Sequence, residues 1–248
     1  MQSVEQEAKT FGALNYVDNF FSKIPVDSRI NHSDFISYAP ASHNDVLTTF
    51  ALDSLQYPRC YVIGKTLIAL DVLIVNSTTL QPPPAAEIVA GCNNMLNSLF
   101  KTVTLLINDR NVGHVNEFHH YTSYIQTVLT YPDAAQKSWL MSSGFVKDVG
   151  AFDTDDNTGV RARSAYFRKD MQINGDYTNE GAHLIGYLMH EMYGVDKPLP
   201  PLTKVQFNLV RTSDDVFIHK SPSVATNYKV VVKNIMLHVP VVTLTESI

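Results

Sequence analysis

Apolar and polar residues alternate in short segments along most of this chain, which is the period-two pattern of β-strands. The clearest segment, 66–75, is a β-branched run interrupted only by Asp71, and it has the length of a strand. Turn-forming residues such as Asn108 and Asp109 separate the segments. We predict further strands over 34–38, 103–107, 163–168, 182–193, 204–210, 216–219 and 228–239.

Helical spacing is confined to the middle of the chain. Residues 85–100 place apolar side chains three and four positions apart, which predicts a short helix. A second stripe occupies positions i, i+3, i+4, i+7 and i+8 of one helical face. Its members are Tyr121, Tyr124, Ile125, Val128 and Leu129. Pro132 ends that helix, and a further helix is predicted over 133–141, capped by Asp133 and stopped by Gly144.

The pattern predicts many strands, few helices and no regular alternation of strand and helix. It therefore favours an antiparallel sandwich over a parallel α/β fold. We therefore predict an all-β chain: an antiparallel, eight-stranded jelly-roll sandwich with short helical insertions. Residues 1–45 are predicted to form an N-terminal arm and the first edge strand. Residues 46–248 are predicted to form the jelly-roll domain, with the helical insertion near 119–142.

Composition narrows the possible partners. The chain has 19 Lys and Arg against 24 Asp and Glu, a net charge of −5, and no basic cluster. This balance argues against direct, sequence-specific binding of nucleic acid. No apolar run approaches the roughly 18 to 20 residues of a membrane span, and Glu5 and Glu7 stand where a secretory signal would be basic. Cys60 and Cys92 are predicted to be buried thiols of a reducing compartment, with a disulfide between them as the alternative.

One acidic segment, 153–159, resembles the start of a calcium-binding loop. Its weak candidate ligands are Asp153, Asp155 and Asn157. The glycine falls one place late for an EF-hand, and Ser164 stands where a bidentate glutamate would be needed. A solvated acidic turn is therefore the favoured interpretation, with a weak cation site as the alternative.

The histidines do not form a recognisable catalytic or metal motif. His119 and His120 are adjacent, so their side chains leave a helix in different directions, and we expect surface or helix-start histidines. His190-Glu191 is followed by Gly194 where a zinc protease motif requires a second histidine. No nucleophile elbow, phosphate-binding loop or dinucleotide fingerprint occurs. We predict a protein that is not an enzyme and needs no cofactor.

Several segments resemble, in their order and spacing, the N-terminal half of double-jelly-roll major capsid proteins of Polinton (Maverick) elements and the related adintoviruses. The matching features are a strand ending in an asparagine turn at 105–108, a tyrosine-bearing helix at 121–131, Ala134 and Ala135, and Phe145-x-x-Asp148. Downstream they are Asn157-x-Gly159 followed by arginine, Leu184-x-Gly186-x-Leu188, and the strands at 209–217 and 228–230. Segments 34–38 and 50–55 match the family's opening strands more loosely.

The resemblance implies a structural capsid protein, without enzymatic activity, that self-assembles into an icosahedral shell. Members carry two jelly rolls in tandem, and three copies form a pseudo-hexagonal capsomer. It implies contacts with neighbouring capsomers and with penton or minor capsid proteins, a place in the virion, and synthesis in the host cytoplasm or nucleus. Tyr121, Tyr124, Ile125, Val128, Leu129 and Trp139 are then packing residues. The chain ends at Ile248, about where the first jelly roll would end.

Two other functions fit the predicted fold. A jelly-roll binding module could recognise carbohydrate or a receptor, and Phe152 beside the acidic turn at 153–157 is the fragment that suggests it. A cupin-like metalloenzyme would need a His-x-His pair, and the chain has none. We rank the capsid function first, the binding module second and the metalloenzyme third.

Overall fold

Twelve strands make up most of the regular structure in the computed structural model, which describes residues 30–113, 117–149, 157–168 and 181–245. In chain order they are β1 Ile30–Tyr38, β2 Ser42–His43, β3 Leu47–Leu52, β4 Arg59–Tyr61, β5 Leu67–Asn76, β6 Val89–Gly91, β7 Phe100–Ile107, β8 Arg110–Val112, β9 Ala182–Tyr187, β10 Val205–Arg211, β11 Ile218–Lys220 and β12 Tyr228–Leu244.

The helices are short and lie mainly between the strands of the middle of the chain. They are α1 Met95–Ser98, α2 His119–Thr130, α3 Asp133–Gln136, α4 Thr158–Ala165 and α5 Asp214–Phe217. Two 3₁₀ segments cover Ile63–Lys65 and Trp139–Ser143. α2 is the longest helix in the described part of the chain, with 12 residues.

The strands form two principal antiparallel sheets. The first has the order β1-β12-β5-β9, with β4 also paired to β12, and the second has the order β2-β3-β10-β7-β8. β6 and β11 form a separate small ladder. Successive long strands change sheet, since β1, β5, β9 and β12 lie in the first and β3, β7 and β10 in the second. This crossing between sheets brings residues that are distant in sequence together in one core.

One hydrophobic core lies between the two sheets. Along β10, Val205, Phe207 and Leu209 are buried while the residues between them are partly exposed, so alternate side chains point inward. The other sheet contributes Ile68, Leu70, Val72 and Ile74 of β5 and Leu237, Val239 and Val241 of β12. The alternation that predicted strands is therefore also what places one face of each sheet in the core.

Three local predictions were wrong. The helix expected over 85–100 is instead β6 followed by the single turn α1, because Asn94 adopts a left-handed conformation with φ of 56° between them. The strand expected over 163–168 lies largely in α4, whose first turn is capped by the Asn157 side chain. The helix expected from 133 ends at Gln136, and Asp133 does not cap it, because Pro132 occupies the cap position.

Other predictions agree with the structure. The turn at Asn108 and Asp109 joins β7 to β8 as a two-residue hairpin, with φ of 50° and 62° at the two positions. The expected edge strand is β1, which pairs with β12 and ends the first sheet. The division into an arm at 1–45 and a domain at 46–248 stays a prediction.

Both cysteines are free thiols. Burial raises the pKa of the Cys60 thiol and also that of the Cys92 thiol. At Cys92 the nearby Arg163 charge partly offsets the effect of burial, and the Asp148 charge adds a smaller increase in the pKa. The Cys92 thiol donates a hydrogen bond to the Val216 carbonyl, 3.0 Å away. These thiols therefore behave as packing groups rather than as nucleophiles.

The position of Phe207 in the core between the two sheets predicts how much stability is lost when its side chain is shortened. Phe207 is completely buried in β10, so Phe207→Ala should lower the free energy of unfolding by about 3–5 kcal/mol in urea titrations. Gln206→Ala, on the opposite face of the same strand, is the matched control and should cost less than about 1 kcal/mol. Equal losses in the two variants would contradict this placement of the core.

Candidate assembly surface

The helix α2 turns its apolar side chains outward. Its buried residues are His119, Ser123 and Thr127, all polar. The opposite side presents large apolar side chains that are exposed, and we call it the outer face of α2. It consists of Phe118, Tyr121, Ile125, Val128 and Leu129, and Leu129 is 81% exposed. A surface helix of a monomeric protein normally has the reverse arrangement, so this face is a candidate contact surface.

The buried side of α2 is held by polar contacts with small side chains. The Asn94 side-chain amide donates to the Thr127 hydroxyl oxygen at 3.3 Å, and that hydroxyl donates to the Ser123 carbonyl at 2.8 Å. The Thr127 hydroxyl also lies 3.7 Å from the sulfur of Met189. Because these side chains are short, the helix lies close to α1 and to the loop after β9, and its bulkier side chains are left outside.

This orientation corrects the prediction for the apolar stripe. Among the residues that the structure describes, Tyr121, Ile125, Val128 and Leu129 are exposed instead of packed, because the helix packs through its polar side. Tyr124 is half-buried at the border and stacks on Phe145, with ring centroids 6.3 Å apart. The stripe itself was found from the sequence, but periodicity identifies an apolar face without saying what covers it.

Trp139 also departs from a simple packing role. Its ring contacts Tyr131 edge-on at 5.0 Å between centroids and Tyr187 at 5.7 Å, yet 38% of the residue stays exposed. It therefore forms part of the wall of a surface cavity rather than part of the core.

A buried arginine connects the helical region to the sandwich. Arg163 of α4 is 1% exposed, and its guanidinium donates to the Gly91 carbonyl at 3.1 Å and the Val146 carbonyl at 2.9 Å. Its remaining branch pairs with Asp148 Oδ1 at 2.9 Å. One side chain thus holds together β6, the 145–149 segment and α4. Asp148 is a residue of the Phe145-x-x-Asp148 match to the family, and Arg163 is one of the two arginines that follow Asn157-x-Gly159.

Asn93 completes this buried network. Its side-chain amide donates to the Val146 carbonyl at 2.6 Å and to Asp148 Oδ2 at 3.0 Å. Its oxygen accepts from the Val146 backbone N–H at 3.0 Å. Both carboxylate oxygens of Asp148 therefore have partners, which is the condition under which a buried ion pair is stable. The sequence offered no local signal for Asn93, because its partners lie more than 50 residues away.

Two buried histidines lie on the side by which α2 packs: His119, the first residue of the helix, and His190, which follows β9. Burial lowers the pKa of His119 to about 3 and that of His190 to about 4. His190 Nε2 lies 3.0 Å from the Ile63 carbonyl, and its Nδ1 accepts from the Met192 backbone N–H at 3.2 Å. The neutral tautomer with hydrogen on Nε2 satisfies both contacts. Of the two alternatives expected for His119, a surface or a helix-start histidine, the structure shows the second, since His119 is the first residue of α2 and is buried on the side by which α2 packs.

Of the three predicted cation ligands, Asn157 alone lies within the residues that the structure describes. Asp153 and Asp155 lie outside the described residues. Asn157 is buried, and its side-chain oxygen accepts from the backbone N–H groups of Gly159 and Val160 at 3.0 and 3.2 Å. Its oxygen is therefore occupied in capping α4. Among the described residues, no group of three or more His, Cys, Asp or Glu is arranged to hold a metal.

Comparison with known proteins gives structural similarity without sequence similarity. No protein-family model matches the chain, and no curated protein matches it. The fold is similar to a chain of the Sputnik virophage, solved by cryo-EM at 3.5 Å, with a TM-score of 0.64 and 12% identity over 92% of this chain and 51% of that one. This similarity and the sheet order confirm the all-β, antiparallel jelly-roll class, with twelve strands rather than the predicted eight.

Two further solved structures match the chain at lower similarity. The mavirus major capsid protein has a TM-score of 0.44 and 10% identity over 90% of this chain and 48% of that one. The Faustovirus major capsid protein has a TM-score of 0.46 and 10% identity over 95% of this chain and 59% of that one. The chain thus spans about half the length of the structures it matches.

None of the helices in the described residues is long and apolar enough to cross a bilayer. α2, the longest of them, has 12 residues.

The buried network predicts that replacing Arg163 lowers the free energy of unfolding much more than replacing the exposed Lys147 does. Arg163→Met leaves Asp148 without its cation, so the free energy of unfolding should fall by about 3–5 kcal/mol in urea titrations. Lys147→Met is the matched control, because the Lys147–Asp133 pair is exposed and should contribute at most about 1 kcal/mol. A loss below about 1 kcal/mol for Arg163→Met would contradict the role assigned to this arginine.

The two buried histidines predict acid sensitivity. Their pKa values are lower in the folded chain than the ordinary value near 6.5, so the unfolded chain binds more protons below that pH. The free energy of unfolding should therefore be highest above pH 6.5 and should fall towards pH 4, by up to about 1.4 kcal/mol per pH unit for each histidine.

Urea titrations at pH 7 and pH 5 measure this loss. His190→Gln should make the difference between the two pH values smaller, because it removes one of the two groups that must stay neutral. His32→Gln, at an exposed position of β1, is the matched control and should leave the difference as it is in the unaltered chain. An unchanged difference in His190→Gln would show that His190 does not contribute to the acid sensitivity.

Proposed function

We propose that this chain is a subunit of a viral-type capsid and that the outer face of α2 is one of its contacts with neighbouring capsid domains. The observation that carries the proposal is the outward apolar face on a jelly-roll fold. Leaving Ile125 and Leu129 in water forgoes the stabilisation that burial of their side chains would provide. A partner surface that covers them on assembly explains why the helix is oriented in this way.

The fold supports the same function. Its structural neighbours include viral major capsid proteins, and the sequence motifs resemble those of Polinton and adintovirus capsid proteins. In this proposal the chain is the N-terminal jelly roll of a double-jelly-roll protein. Three copies form a capsomer, capsomers meet each other and penton or minor capsid proteins, and the product is an icosahedral shell in the virion. The protein has no enzymatic role and needs no cofactor.

The sheet edges provide a second kind of contact surface. β1 pairs with β12 on one side and ends the first sheet on the other. Most of its residues are exposed, and the exposed side chains include Phe35. An edge strand of nine residues can add a strand from a neighbour through its free backbone groups. We assign this edge a supporting role, because Asp34 and His32 give it polar character.

Electron microscopy of the purified protein tests the proposal, with the chain examined alone and joined to any coding sequence that follows it. We expect trimeric capsomers or shells. Ile125→Asp and Leu129→Asp should abolish these assemblies, because each places a charge in the proposed contact. A monodisperse monomer in every preparation would refute the proposed function.

Matched variants separate assembly from folding. Ile125 and Leu129 are 54% and 81% exposed, so replacing them should change the free energy of unfolding of the single chain by no more than about 0.5 kcal/mol. Leu202→Asp changes another exposed leucine, outside the outer face of α2, and should leave assembly intact. Normal assembly of Leu129→Asp would contradict the assignment of this face as a contact.

A further inference from the structure

An aromatic cavity opens between α2 and β9, on a different side of α2 from its outer face. Its volume is about 770 Å³, within the range of small-molecule binding sites. Gln126 and Thr130 line it from α2, while Ile185, Gly186 and Tyr187 line it from β9. On a helix with 100° between residues, Gln126 and Thr130 face away from Tyr121 and Val128.

Four aromatic rings form a continuous wall of this cavity. Trp139 stands nearly perpendicular to Tyr131 and to Tyr187, with interplanar angles of 88° and 85°. Tyr187 contacts Tyr193 at 5.9 Å between ring centroids, and the hydroxyls of Tyr131 and Tyr193 hydrogen-bond each other. Each ring is thus fixed by a neighbour, and little side-chain freedom is left to lose when a ligand binds.

The charges around the cavity favour an uncharged ligand. Among the described residues that line it, Lys65 alone carries a formal charge, and its ammonium pairs with Asp196 at 3.0 Å. An aromatic site for a cationic ligand works through attraction of the cation to the ring faces, and a lysine in the wall opposes that attraction. An anionic ligand would have to compete with Asp196 for Lys65.

The polar groups of the wall favour a ligand rich in hydroxyls. Gln126 has an amide that both donates and accepts, and Thr130 has a hydroxyl. In the Tyr131–Tyr193 pair only one hydroxyl proton lies between the two oxygens, so the other can be donated to a ligand. Ser142 Oγ lies 2.6 Å from the Trp139 carbonyl oxygen and 2.9 Å from the Ile185 carbonyl oxygen, so its one proton is donated within the chain and its lone pairs remain as acceptors.

From these observations we infer that the cavity binds a neutral carbohydrate, with a sugar ring stacked on Trp139 and its hydroxyls bonded to the polar wall. The C–H face of a sugar ring is weakly positive and fits the negative face of an aromatic ring. The hydroxyl edge of the same ring needs partners that both donate and accept, which Gln126 and Thr130 are. The inference does not depend on the capsid role, because every group in the site belongs to a single chain.

Intrinsic fluorescence tests this directly, because Trp139 is the one tryptophan of the chain. The protein is titrated with maltose, cellobiose, lactose and N,N′-diacetylchitobiose while the tryptophan emission is recorded. We expect a saturable change with at least one of these sugars, at a dissociation constant on the order of 1 mM or lower. Calorimetry with that sugar should give the same constant and should detect no binding to Trp139→Ala.

A blocking variant and its control distinguish the cavity from other surfaces. A Cβ at Gly194, which lines the cavity with φ of 81°, meets no atom within 4 Å. Asparagine tolerates a positive φ, so Gly194→Asn should fold and should weaken sugar binding by at least about tenfold. Leu202→Asn is the control, because it introduces the same residue at an exposed position outside the cavity that also has a positive φ, 62°. This variant should bind the sugar as the unaltered chain does.

Three results would overturn the inference. One is the absence of a response to all four sugars. Another is an equal response in the unaltered chain and in Gly194→Asn. The third is a response to a proline-rich peptide or to tetramethylammonium without one to any sugar, because this would assign the rings to a peptide or a cation. Failure of the chain to form shells would leave the sugar result unaffected, so the two proposals can fail separately.

Discussion

The arrangement of the helical region depends on one buried guanidinium. Arg163 is removed from water and has three partners, two backbone carbonyls and the Asp148 carboxylate. Burying an unpaired charge would cost several kcal/mol, so the pair is stable only while β6, the 145–149 segment and α4 stay together. Asn93 binds the other carboxylate oxygen and the same backbone carbonyl, which makes the geometry of this junction nearly unique.

A rigid junction of this kind allows α2 to be placed with its polar side inward. The helix contacts the rest of the chain through Ser123 and Thr127, whose small side chains bring it close to α1. Within the part of the chain that the structure describes, its large apolar side chains are left exposed. In the single chain this orientation leaves apolar area in contact with water, and the proposed assembly would bury that area. The buried polar contacts therefore set which surface is available to a neighbour.

The same placement creates the aromatic cavity on another side of α2. The cavity is lined from five places in the chain, which lie up to 130 residues apart, from Gly64 to Gly194. They are the 3₁₀ segment Ile63–Lys65, α2, the 3₁₀ segment Trp139–Ser143, β9 and the turn around Gly194. The two surfaces have different chemistry. The outer face of α2 offers aliphatic and aromatic area without fixed polar partners, whereas the cavity combines stacked rings with hydroxyl and amide groups. The outer face of α2 suits a protein neighbour, and the cavity suits a small polar ligand.

Local patterns in the sequence predict the long strands β1, β5, β7, β9, β10 and β12, the turn at Asn108 and Asp109, and the position and apolar stripe of α2. Each of these follows from side-chain periodicity or from local turn preference, which act over a few residues. Three features are visible only in the tertiary structure. One is the side of α2 that is buried, another is the pairing of Arg163, in a helix, with Asp148, and the third is the meeting of four distant aromatic rings in one cavity. These depend on contacts between residues tens of positions apart, and no local pattern records such contacts.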